Sequence, residues 1–145
     1  MTFWVDWISA QQYTICLRWL IQEVNLRSEG KIAVDLGTLT GTVLGKRGQV
    51  ALKPDEVRLT AQHGQINWMG YRTEDARVLA VLNHDAATLA SINFSSALST
   101  KPNVLIGSGH GSWHQENKSS ASSLEIALPP QGCALVVLPF HSAHL

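Results

Sequence analysis

The sequence predicts a mainly β chain, an antiparallel β-sandwich of short strands whose first 25 residues form a strand or a short helix. Three observations predict it. Short windows alternate apolar with polar residues, as in Lys31-Ile32-Ala33-Val34-Asp35-Leu36. Turn formers recur between those windows, as at Ser28-Glu29-Gly30 and His63-Gly64. Strands at such spacing, roughly every 8–12 residues, are the pattern of a sandwich or barrel. No long amphipathic helical pattern is convincing across the 145 residues.

The elements follow in order. In residues 2–27, Tyr13, Ile15, Leu17, Trp19 and Ile21 fall on one side at period two. At period 3.6, Trp4, Ile8, Ile15 and Trp19 form a stripe, with Leu20 and Val24 beside it. β-Branched and aromatic residues favour the strand. Strands are then expected at 31–36, at 38–44, over Gln49 to Leu52 and over Glu56 to Ala61. Lys46-Arg47-Gly48 supplies a hairpin turn.

Gln65 to Arg72 and Arg77 to Asn83 flank Thr73-Glu74-Asp75-Ala76, a four-residue hairpin loop of polar turn formers. Val78-Leu79-Ala80-Val81-Leu82 is continuously apolar, so that strand should lie central and buried. Thr88 to Phe94 alternates, and Val104-Leu105-Ile106 is short and buried. Residues 107–123 read as a long Gly/Ser/His/Asn loop containing Trp113. Leu124 to Leu128 and Cys133 to Leu138 are expected to pair as a final hairpin across Pro129-Pro130-Gln131-Gly132.

Composition bounds the function. The length suits one domain, residues 1–145, with a subdivision into 1–63 and 64–145 allowed. Charged residues make up 15% and the formal net charge is zero. Lys46 and Arg47 are the only adjacent cations. Nucleic-acid binding needs clustered Lys and Arg, so it is not expected. No apolar run approaches a membrane span, and the N-terminus lacks a signal-peptide pattern. The default expectation is a cytoplasmic chain with no membrane partner. Cys16 and Cys133 lie outside any C-x-x-C motif; they read as two buried free thiols, with a single long-range disulfide as the alternative.

Catalytic templates fail one by one. Gly107-Ser108-Gly109-His110-Gly111 does not match the G-x-S-x-G nucleophile elbow. Gly41-Thr42-Val43-Leu44-Gly45-Lys46 lacks the first glycine of a phosphate loop, and Arg47 takes the magnesium-binding hydroxyl's position. Glu74-Asp75 and Asp55-Glu56 are neighbours in turns, not carboxylates held across a cleft. The expectation is a non-enzyme without cofactors.

Binding residues are easier to name. Trp68 and Tyr71 sit at odd separation in one strand and face opposite sides of the sheet. Trp113 lies in a polar stretch with His110 and His114. Aromatic rings among polar groups can hold a sugar; equally, they can fill a small sandwich core. Trp68, Tyr71, Trp113, His110 and His114 are therefore the candidate ligand contacts. A metal site from His110, His114, His141 and His144 is an alternative. Self-association through a low-charge sheet face or an open edge strand is another.

The run Gly64-Gln65-Ile66-Asn67-Trp68-Met69-Gly70-Tyr71-Arg72, then Arg77-Val78-Leu79-Ala80-Val81-Leu82-Asn83, resembles the opening of the C-terminal β-sandwich of glycoside hydrolases of the α-amylase superfamily. Leu89 to Phe94, Asn103 to Gly107 and the Leu124 to Leu138 stretch are similar to its later strands. The resemblance covers residues 64–139. It implies a non-catalytic accessory module that packs on a catalytic domain or weakly binds carbohydrate. That family's catalytic carboxylates lie in a barrel, so no catalytic role passes to any residue here.

Overall fold

The structure is a computed structural model. It describes residues 17–29, 34, 39, 50–53, 55–64, 66–95, 101–108, 113–117 and 123–140. The expected strand at 31–36, most of that at 38–44 and the turn at 46–48 lie outside these residues. Leu39 is described, and it is helical and buried rather than extended.

A helix, α1, occupies residues 17–27. Of the two forms expected, strand or short helix, the chain takes the less favoured one. Leu17, Leu20, Ile21 and Val24 repeat at helical spacing and are all buried, so one apolar stripe meets the core. Trp19, placed in the predicted stripe, is instead 45% exposed. Period two fitted this stretch because Leu17, Trp19 and Ile21 are all large and apolar; only two of them pack inward. Ser28 N–H donates to Val24 O at 2.9 Å, and Glu29 N–H to Leu26 O at 3.2 Å. Glu29 then takes φ +55°, the left-handed turn that ends many helices.

The strands are β1 (Val50–Ala51), β2 (Val57–Ala61), β3 (Ile66–Arg72), β4 (Ala76–Asn83), β5 (Thr88–Phe94), β6 (Asn103–Gly107), β7 (Trp113–Asn117), β8 (Ser123–Leu128) and β9 (Cys133–Pro139). They form two antiparallel sheets, of order β1-β3-β4-β9-β6-β7 and β2-β5-β8. β3 and β4 make the expected hairpin, with Arg72 opposite Arg77. Thr73 closes it: its N–H donates to Ala76 O at 2.8 Å, and its Oγ1 accepts from Asp75 N–H at 3.1 Å.

The six-stranded sheet is covered on both faces. Tyr71, Val78, Ala80, Leu82, Leu105, Leu135 and Val137 meet α1. Leu79, Val81, Val104, Ile106, Ala134 and Val136 meet Ile92, Phe94, Leu124, Ile126 and Leu128 of the smaller sheet. Two-sided cover explains why β4 and β9 are apolar without a break. The smaller sheet is covered on one face, so β8 alternates exposed and buried along its length.

Two expectations about the C-terminal half fail. β7 stands where a continuous loop was expected, and pairs with β6 from Asn103 opposite Asn117 to Gly107 opposite Trp113. β8 and β9 are no hairpin: β8 pairs with β5, whereas β9 pairs with β4 and β6. The segment 129–132 carries the chain from one sheet to the other. Gly132 N–H donates back to Pro129 O at 3.0 Å, and Gln131 takes φ +52°. A Cβ on Gly132 would stand 2.6 Å from Gly107 O, so only glycine lets β9 start this close to β6.

Cys133 is fully buried, as expected, but it is disulfide-bonded rather than a free thiol. Among the described residues, no helix is long and apolar enough to cross a membrane.

Candidate functional site

The described residue best placed to organise a site is Asn83, the last of β4 and fully buried. Its Nδ2 donates to Ala86 O at 3.0 Å and to Pro129 O at 2.9 Å. Its Oδ1 accepts from Asp85 N–H at 3.1 Å. Its own N–H donates to Gly132 O at 3.0 Å, and Gln131 N–H donates to Asp85 O at 3.1 Å. One amide thus fastens the loop after β4 to the passage between sheets. A buried amide with both ends satisfied fixes its surroundings, because breaking any one bond strands a polar group.

Beside that junction lies a cavity of about 320 Å³. Ala87, Ile106, Ala127, Leu128 and Pro129 form apolar wall, and Ser108 and His114 supply its polar groups. Strand alternation aims His114 and Glu116 to the same side. Their cross-strand partners, Ile106 and Val104, belong to the core between the sheets. The His114 Nε2–H donates to Glu116 Oε2 at 2.9 Å, which orients the imidazole. The volume suits a small ligand with an apolar face. The imidazole and the Ser108 hydroxyl could bind hydroxyl groups at its rim.

Of the predicted contact residues His114 lines this cavity, and the three aromatic ones do not. Tyr71 is fully buried beneath α1 and is unavailable to any ligand, which removes it from the candidate set. Trp68 is half-buried against the core between the sheets. Trp113 is half-buried on the opposite face, against the core under α1. β4, β9 and β6 lie between β3 and β7, so the two strands that carry the indoles are roughly 19 Å apart at about 4.8 Å per strand step, with the rings on opposite faces. Opposite facing of Trp68 and Tyr71 holds as read from the sequence.

Arg27 covers Trp113. Its guanidinium carbon stands 4.8 Å from the ring centroid, its Nη1 donates to Gln115 Oε1, and its Nε pairs with Glu23 Oε2 at 3.4 Å. The arginine at the end of α1 thus closes over one side of the indole and clips the helix to β7. A sugar could not stack on the covered face. His110, His141 and His144 lie outside the described residues. Among the described residues, no group of three or more His, Cys, Asp or Glu is placed to hold a metal ion.

Glu116 and Arg27 were not singled out from the sequence, and Ser108 was weighed only as a nucleophile. The alternation of Trp113-His114-Gln115-Glu116 was available as a signal, but the surrounding glycines and serines concealed it.

No protein-family model matches the chain, and no curated protein matches it. Among solved structures, it is similar to a bifunctional glucanase-xylanase protein from a metagenome library, with 27% identity and a TM-score of 0.45. The match covers 51% of this chain and 16% of that one, so the chain spans a small fraction of that protein's length.

Proposed function

We propose that the chain is a non-catalytic β-sandwich accessory module of a glycoside-hydrolase-like protein, and that it acts by packing on a catalytic domain. One observation carries the reading. The strands that the resemblance assigns to residues 64–139 are present, from β3 ending at Arg72 and β4 ending at Asn83 through β5, β6, β8 and β9, although β8 and β9 do not form the closing hairpin it implies. They lie within a two-sheet antiparallel sandwich. The resemblance assigns catalysis to a separate barrel, which supports a supporting role for this module.

Packing is favoured over carbohydrate binding by the dispersal of the aromatic residues. Tyr71 is buried, Trp113 is covered by Arg27, and Trp68 lies across the sheet from both Trp113 and the cavity. A carbohydrate contact belongs at the rim near Ser108 and His114.

Two measurements test the reading. The coding sequence beside this one is expected to specify a glycoside-hydrolase barrel, and that barrel should co-elute with the chain on size exclusion. Isothermal titration against soluble glucans and xylans is expected to give weak heats at most. Such heats should be lost in His114→Ala and kept in Trp68→Ala. A chain that elutes apart from any neighbouring barrel and gives no heat with a broad glycan panel would sink both halves of the proposal.

A further inference from the structure

We infer that the chain is built for an oxidising compartment, where a Cys16–Cys133 disulfide latches α1 onto the six-stranded sheet. This inference is independent of the proposed accessory role. It departs from the cytoplasmic default drawn from the sequence.

The argument starts at Cys133. This residue opens β9, lies opposite Leu82 of β4 and Gly107 of β6, and faces the core under α1. It is disulfide-bonded and fully buried. No second molecule could reach a sulfur so enclosed, so the partner sulfur belongs to the same chain. The sequence holds one other cysteine, Cys16, immediately before Leu17 of α1. The bond therefore ties the chain just before Leu17 to the centre of the sheet. It encloses most of the chain in one covalent loop. Long loops are those in which a cross-link removes most freedom from the unfolded chain.

Intracellular thiol pools keep most such pairs reduced, whereas secreted and periplasmic proteins keep them joined. Formation is a thiol–disulfide exchange. The two thiols give up two protons and two electrons, the S–S bond forms, and a disulfide-bearing oxidant leaves as two thiols.

The layered core defines what the latch does. Leu17, Leu20, Ile21 and Val24 contact only the core under α1. The core between the sheets contains no residue of the helix. Opening the bond should loosen α1 and leave the sandwich standing. Tyr71, Val78 and Leu135 would then lose their cover.

The test uses the full chain, purified from an oxidising compartment. Alkylation in denaturant should label no cysteine before reduction and both after it. Reduction should lower the thermal midpoint by about 10 °C, from the cross-link entropy of a long loop and the usual shift per unit of stability. Hydrogen exchange on the reduced chain should show lost protection at residues 18–27 and retained protection in β4 and β9. Cys16→Ala and Cys133→Ala should each reproduce the reduced midpoint, and neither should respond to reductant. Two thiols labelled without reduction would overturn the inference. So would an unchanged midpoint, or protection lost equally from both cores.

Discussion

Asn83 shows how much one side chain can organise. Its amide reaches the loop after β4 and the passage from β8 to β9, with both ends bonded. Asn83→Leu keeps the volume but leaves the carbonyls of Ala86 and Pro129 without this donor. Each stranded group costs about 1–3 kcal/mol. The expected loss is about 3 kcal/mol, read as a lower urea midpoint at unchanged m-value. Glu29 invites the opposite change. It holds φ +55° at the end of α1, where a side chain is strained and a carboxylate opposes the helix dipole. Glu29→Gly should raise stability by about 0.5–1 kcal/mol in the same measurement. An unchanged or lower midpoint would contradict that account.

At the scale of elements, α1 and β7 separate what was legible in the sequence from what was not. The β3–β4 hairpin was legible because its turn residues and its register agree. The buried middle of β4 was legible because a continuous apolar run needs cover on both faces. α1 stood open between strand and helix, with the strand favoured, because alternation at Leu17, Trp19 and Ile21 mimics period two. The two readings differ in their buried set. In the helix, Leu20 is buried and Trp19 is nearly half exposed. Leu20→Ala should therefore cost about 3 kcal/mol, in the range for a buried leucine, while Trp19→Ala should cost less than about 0.5 kcal/mol. Equal losses from the two variants would reject the helical packing. β7 escaped notice because an edge strand needs little apolar surface. The passage from β8 to β9 had a visible sign. β8 alternates and β9 does not, and strands with different burial patterns belong in differently covered sheets.

At the scale of the whole molecule, the fold has three layers with a separate core on each side of the six-stranded sheet. The candidate site was legible only in fragments. His114 lines the cavity with Ser108, and its partner Glu116 shares its face of β7, but the glycines and serines around that strand concealed the alternation. Tyr71 was an attractive contact in sequence because aromatic residues suit both cores and ligand platforms. Only the position of α1 decides between those roles, and α1 lies some fifty residues earlier in the chain.

β9 also sets an order of events for a chain leaving the ribosome. It fills the gap between β4 and β6, yet both of those strands are synthesised before it. Until β9 emerges, each of them shows an unpaired edge toward the other, in a chain with few charges to deter sticking. The helix cannot find its bed either, since Leu135 and Val137 line it. Pairings this distant in sequence form slowly. During translation the nascent chain therefore spends its most association-prone interval waiting for β9, and a chaperone that shields strand edges would matter most in that interval.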